Sequence, residues 1–378
     1  MVIAVNTRFL LKEYMEGYGN FIFECFSRIT KKYPQHSFIY IFDRPFDEGF
    51  ITSQNIIPVI AGPMARHPVL WRYWYNYKVP AVLRKYKADV FVSPDGFCSL
   101  RTNIPQCLVL HDLAFLQFPK YIKKSHFNFY KKYTPQFLHK AERIVTVSEF
   151  SKNDIIENYK TAGEKINVVY NGVSSLFKPI SGQEKEIIKN KYADGKEFYL
   201  CVGSIHPRKN LLALLKAFSV FKKRQKSNMQ LLIAGRLAWG YQAFIDGLKT
   251  YKYRDEVKLL GYLPQEILAN ITASAYALVY PSLFEGFGLP PIEAMQCGVP
   301  VVTGNLSSMP EICGNAALYA DPHKYESIAE QMMFLYKDES RKKELIELGR
   351  QQAAKYNWDI AADLLWAGIL KTAGKGND

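Results

Sequence analysis

Short apolar runs recur along the chain, each closed by a turn residue and followed by a stretch with helical spacing of apolar positions. In the first half the runs lie at Val2–Asn6 and at residues 38–42, 57–60, 90–93, 107–110, 144–147 and 166–170. In the second half they lie at Phe198–Val202 and at 231–234, 257–260, 276–280 and 299–302. Continuous rather than alternating apolar runs are those of strands buried on both faces, and their alternation with helical segments predicts parallel sheets. The pattern pauses at Asn171-Gly172 and again at Lys178-Pro179, both turn signals, before a new series begins. The expectation is an α/β protein of two Rossmann-like domains, residues 1–175 and 176–355, with an amphipathic C-terminal helix in 356–378.

The densest chemistry lies between two of these runs, in residues 276–302. Pro290 and Pro291 suit the first turn of a helix and Gly298 the residue just past its end, which predicts a helix over 290–297. Such a strand–loop–helix unit aims backbone N–H groups and the positive end of the helix dipole at the space over Gly286, Phe287, Gly288 and Leu289, where an anion is held. Two carboxylates frame the loop. Glu285 directly follows a strand, on the edge where open parallel sheets bind ligands. Glu293 falls within the first helical turn, where stabilisation of the dipole by roughly 0.3–1 kcal/mol is the plain structural alternative.

A second junction of this kind follows Phe198–Val202. The loop Gly203-Ser204-Ile205-His206-Pro207-Arg208-Lys209-Asn210 leads into a helix, and cations there are opposed by the helix dipole. A planar guanidinium fork from Arg208 beside a point charge from Lys209 suits a diphosphate. In the first half, His111 ends a strand in the run His111-Asp112-Leu113-Ala114-Phe115, with Asp112 placed to orient it or cap the next turn. Gly17 and Gly19 precede a helical run and lack the third glycine of a dinucleotide fingerprint. Ser148 reads as the N-cap of the next helix.

The segment Glu285-Gly286-Phe287-Gly288-Leu289-Pro290 with Glu293-Ala294-Met295 resembles the paired-glutamate signature of the retaining glycosyltransferases of family 4. The resemblance is densest over 198–320 and thinner over 105–172, where the HDLAF run is similar to the family's histidine segment. It implies the GT-B architecture, two Rossmann-like domains facing each other across a cleft, with the last helix crossing back to the first. It further implies that Glu285 lies by the donor sugar, that Glu293 binds the ribose hydroxyls, and that Arg208 and Lys209 hold the diphosphate. His111 then approaches the sugar, Gly17 and Gly19 form a flexible loop facing the diphosphate, and Tyr262 and Leu263 lie near the base. One departure stands out: many members carry an arginine directly after the loop glycine, where this chain has Ser204. That variant occurs in a branch rich in bacterial surface-polysaccharide mannosyltransferases, so GDP-mannose is the first expectation for the donor and a glycan or lipid-linked molecule for the acceptor.

Composition narrows the remaining choices. The sequence has no Asp-x-Asp and no histidine or cysteine spacing of a metal site, so metal-independent stabilisation of the leaving group is expected and no cofactor. No apolar run approaches the roughly 20 residues of a membrane span, and the amino terminus is unlike a signal peptide. The expected location is cytoplasmic, at the inner face of the plasma membrane if the acceptor is a lipid. The net charge of +14 is concentrated: residues 66–143 hold 14 Lys/Arg against 4 Asp/Glu. Aromatic residues interleave with these cations from Trp71 to Lys87 and from Lys120 to Lys132, a mixture that suits the headgroups of an anionic membrane. The alternative is a solvated basic face with its aromatics packed inward, and Pro80 is expected to interrupt any long helix there. A UDP-glucose-type glucosyltransferase, a nucleotide-sugar epimerase of the same fold and a basic nucleic-acid-binding protein stand as alternatives, the last without any recognition motif beside its charge.

Overall fold

Seven parallel strands form the first sheet: β1 (Val2–Asn6), β2 (Ser37–Phe42), β3 (Ile56–Ile60), β4 (Val90–Ser93), β5 (Gln106–Val109), β6 (Arg143–Thr146) and β7 (Ile166–Val168), in the order β3-β2-β1-β4-β5-β6-β7. The computed structural model describes residues 1–13, 15 and 17–375. Strand β1 is buried from Ile3 onward and pairs with β2 on one side and β4 on the other, so the strand order reverses beside it. The second sheet has six parallel strands: β8 (Phe198–Val202), β9 (Gln230–Ala234), β10 (Val257–Gly261), β11 (Ala277–Tyr280), β12 (Val301–Gly304) and β13 (Ala317–Ala320), in the order β10-β9-β8-β11-β12-β13. Here the reversal falls between β8 and β11, which pair directly. Strand β13 is the one the apolar pattern did not reveal, because its four residues, Ala-Leu-Tyr-Ala, carry no β-branched side chain.

The chain divides into two compact units: Met1–Gly172 together with the chain from Asn357 on, and Val173–Tyr356. The first unit is thus closed by its own distant end. Helix Trp358–Thr372 packs on helix Gly17–Lys32, with the Trp366 ring stacked on Tyr33 at 4.3 Å and Arg28 paired with Asp359 at 2.7 Å. Each unit has its own apolar core, one around Trp74, Phe91, Leu108 and Ile144, the other around Leu214, Phe218, Leu231 and Met332. All six cysteines are buried and none forms a disulfide.

Two expectations for the first unit are corrected. Gly17 and Gly19 do not form a loop; they lie in the first turn of helix Gly17–Lys32, which begins four residues before the apolar run at Phe21. Gly19 is needed for a close approach, since a Cβ there would stand 2.6 Å from the Phe9 carbonyl oxygen. Pro80 does not break the helical run either. Helix Pro68–Tyr73 continues through a π turn, Trp74–Lys78, into helix Val79–Lys85, so the wide turn falls directly before the residue that lacks an N–H. Of the aromatics in this run Trp71, Trp74 and Tyr75 are buried, while Tyr73 and Tyr77 are exposed and stacked on each other at 5.6 Å.

Candidate active site

In the second unit the strand order reverses between β8 and β11, and the carboxyl ends of such a pair are the place where open parallel sheets receive ligands. After β8 the chain passes through Gly203 into a single 3₁₀ turn, Pro207–Lys209, whose entry is capped by His206 Nδ1 accepting the Arg208 N–H at 3.1 Å. Asn210 ends the turn in the left-handed region at φ 60°. Its amide donates to the carbonyls of Pro281 (3.2 Å) and Pro322 (2.6 Å), which ties the turn to the loop after β11. The main chains of the two loops also meet where the Leu283 N–H donates to the Arg208 carbonyl at 2.9 Å.

This bracing brings three charges together. Lys209 Nζ donates to Glu285 Oε1 at 2.6 Å and to the Tyr280 hydroxyl, and Arg208 Nη1 donates to Glu285 Oε2 at 2.8 Å and to the Phe284 carbonyl. The Lys209 and Glu285 side chains are 10% and 8% exposed, against 21% for Arg208, so lysine is the inner member of the pair and arginine the outer. Burial pushes the Glu285 carboxyl up, but the Arg208 and Lys209 charges outweigh it and hold the group down at about 2. Burial keeps the Tyr280 phenol protonated well above its usual range. A carboxylate with two cations, one net positive charge in a sheltered place, is suited to receive an anion.

The following loop turns at Gly288, whose φ of 92° strains any residue with a Cβ, and leads into helix Leu289–Gln296. Gly286 and Phe287 are buried, the Phe287 ring standing edge-on to Tyr356 at 5.4 Å, while Leu289 is half-buried. Glu293 lies in the second turn of this helix, not the first as expected, because the helix starts at Leu289 with both prolines already inside it. Stabilisation of the dipole is therefore a weak account of it. The residue is half-buried, and burial pushes its carboxyl up to about 8. Gly298, at φ 71°, closes the helix as the sequence indicated.

The remaining expected residues are dispersed. Tyr262 and Leu263 follow β10, two strands away from β8, with Tyr262 exposed and Leu263 half-buried. Gly17, Gly19 and His111 belong to the first unit. His111 follows β5, and Tyr18, between the two glycines, meets its ring edge-on at 4.6 Å, with Phe21 at 5.2 Å. Burial holds the imidazole down at about 4, against the pull of the Pro94 carbonyl and Asp95, so it is neutral at pH 7, and its Nε2 is buried without a partner. The Ser151 hydroxyl donates to the His111 carbonyl at 3.0 Å, Ser148 caps that helix as expected, and Asp112 caps the next turn by accepting the Ala114 N–H at 2.9 Å. Three residues of the second-unit site escaped the sequence reading: Tyr280, Ser307 and Ser308. Tyr280 looked like an ordinary strand aromatic, and the two serines lie about 22 residues away in sequence, with only the N-cap-like run before Met309 as a signal.

Comparison with known proteins places the chain in a family. Residues 182–352 match the family described as glycosyl transferases group 1, and residues 35–175 match Glycosyltransferase Family 4. The O-antigen chain mannosyltransferase B of Escherichia coli is 30% identical over 300 residues, 78% of either chain. The O-antigen chain mannosyltransferase RfbU of Salmonella typhimurium is 30% identical over 285 residues, 73% of either chain. Among solved structures, Anabaena Alr3699/HepE in complex with UDP and glucose superposes with a TM-score of 0.75 over 98% of this chain and 99% of that one, at 17% identity. Two parallel α/β units with these strand orders have the fold of a GT-B enzyme. The chain belongs to the family 4 glycosyltransferases.

Proposed function

We propose that the protein is a retaining, metal-independent mannosyltransferase that takes its sugar from GDP-mannose and passes it to a glycan or lipid-linked acceptor in surface-polysaccharide synthesis. The observation that carries this reading is the convergence of Arg208 and Lys209 on Glu285, on a chain related to two O-antigen mannosyltransferases. Arg208 and Lys209 meet the donor's diphosphate and neutralise it as it leaves, the N–H groups of residues 286–289 assist them, and the Glu285 carboxylate faces the hexose. The Glu293 carboxyl, on the helix that follows the loop, receives the ribose hydroxyls. Tyr262 and Leu263 lie near the base. His111, a neutral imidazole whose buried Nε2 has no partner among the described residues, is the first unit's own hydrogen-bonding group, with the helical turn of residues 17–19 shaping its surroundings. The acceptor hydroxyl attacks on the face from which the diphosphate departs, and its proton passes to the leaving phosphate oxygen.

Contact with an anionic membrane is part of the proposal. Among the described residues no helix is long and apolar enough to cross a membrane. The helical run 68–85 leaves Val69, Tyr73 and Tyr77 exposed, with Arg66, Arg72, Arg84 and Lys85 exposed around them. Lys78 and Arg101 stand over the Tyr73 and Tyr77 rings at 5.7 and 4.7 Å, so the rings are fringed by cations, as headgroup contact requires. The deciding experiment is incubation with GDP-mannose, UDP-glucose and other nucleotide sugars, following nucleotide release and the anomeric configuration of the product by NMR. Release of GDP from GDP-mannose, with the α configuration kept, is the expected result. Turnover of UDP-glucose alone would replace the donor, and inversion would replace the mechanism.

A further inference from the structure

The loop after β12 holds the main chain of Glu285 from two sides. Ser307 adopts φ 55°, a left-handed conformation that serine rarely takes. Its Oγ accepts the Glu285 N–H at 2.9 Å and donates to the Leu306 carbonyl at 2.7 Å. Ser308, fully buried, points its hydroxyl at two carbonyls, those of Glu285 at 3.0 Å and Phe287 at 2.9 Å. The Glu285 side chain, meanwhile, is held chiefly by Arg208 and Lys209, with the Tyr280 and Ser282 hydroxyls beside it.

We propose that Ser307 and Ser308 are positioning residues that keep the Glu285 carboxylate aimed at the hexose during turnover, when the two cations have turned to the donor's diphosphate. The inference rests on the reading of Arg208 and Lys209 as the diphosphate clamp. In the ligand-free protein Glu285 is held at both ends, its carboxylate by the cations and the neighbouring hydroxyls and its main chain by the two serines. A diphosphate carries more negative charge than one carboxylate and competes for the same N–H donors. As it draws Arg208 and Lys209 away, the serine bonds carry a larger share of what restrains Glu285. They therefore matter little to the resting fold and to capture of bare nucleotide, and most to the step that uses the sugar.

The test uses Ser307→Gly, in which glycine keeps the positive φ and only the hydroxyl is lost, and Ser308→Ala. The probes are GDP, for affinity by calorimetry, and GDP-mannose with water as acceptor, for the rate of GDP release. Both variants are expected to bind GDP within about twofold of the wild type and to release GDP from GDP-mannose about 5–10-fold more slowly, the scale of one buried hydrogen bond. A wild-type rate in Ser307→Gly overturns the inference, and so does an equal loss of GDP affinity and rate, which means general loosening of the loop. Ser307→Gly decides the matter alone if Ser308→Ala does not fold. A wild-type protein that neither binds GDP nor cleaves GDP-mannose, and does the same with UDP and UDP-glucose, defeats the function itself and this inference with it.

Discussion

Lys209 Nζ and Glu285 Oε1 stand 2.6 Å apart, joined across 76 residues of sequence because β8 and β11 are neighbours in the sheet. With Arg208 on the other carboxylate oxygen, the proposed clamp is partly neutralised at rest, and a donor has to displace a carboxylate to engage it. Removing Lys209 therefore removes a phosphate ligand and leaves Glu285 with one cation. Lys209→Ala is expected to lower kcat by about 10²–10³-fold, the usual scale for one electrostatic donor in a transition state. Steady-state kinetics on protein shown folded by circular dichroism checks it, and a tenfold or smaller loss would make the lysine peripheral.

Glu293 provides a prediction about pH. Its carboxyl is raised to about 8 by burial, so the folded protein holds a proton there that the unfolded chain has released. Stability without nucleotide should then fall as the pH rises from about 5 through 8, because the native state binds more protons over that range. Glu293→Gln should flatten this part of the profile, measured as the denaturant midpoint against pH. Glu293→Ala should also weaken binding of bare GDP, and unchanged GDP affinity would remove the ribose assignment.

Metal dependence is open to a direct check. With Arg208 and Lys209 supplying the positive charge, turnover of GDP-mannose is expected to persist in excess EDTA. Loss of activity restored by Mg²⁺ or Mn²⁺ would show that the two side chains do not neutralise the leaving group unaided.

The exposed rings of Tyr73 and Tyr77 bear on the membrane proposal. Co-sedimentation with anionic vesicles is expected at 50 mM salt and should fade as salt screens the cations. Replacing both tyrosines by serine should weaken binding to anionic vesicles while leaving the melting temperature nearly unchanged, since both side chains are largely outside the core. Equal binding to neutral vesicles, or none to anionic ones, would assign the basic stretch to another task.

Buried parallel strands are legible in sequence because both faces demand apolar residues, and so twelve of the thirteen strands could be read from runs such as Phe198–Val202. The same logic placed Glu285, Arg208 and Lys209, each just beyond a strand. What could not be read depends on tertiary packing. The serines that hold Glu285 act through its main chain, and hydrogen bonds of that kind leave no spacing in the sequence. The loop at Gly17 and Gly19 was implied by the family resemblance, yet both lie in the first turn of a helix, where Tyr18 between them packs on Phe9 and His111. Inward and outward aromatics in the run from Trp71 to Tyr77 were likewise indistinguishable before the π turn was known, since that turn shifts which side chains face the sheet.

The stacking of Trp366 on Tyr33 sets an order of events during synthesis. Residues 173–356 form a continuous segment and have every strand of their sheet once Tyr356 has left the ribosome. The first unit, though translated earlier, still lacks helix Trp358–Thr372, and until then the face of helix Gly17–Lys32 that receives it is open to water. A nascent chain therefore carries an unfinished first unit while its second is already complete, and the amino-terminal part is the one a chaperone would need to shield.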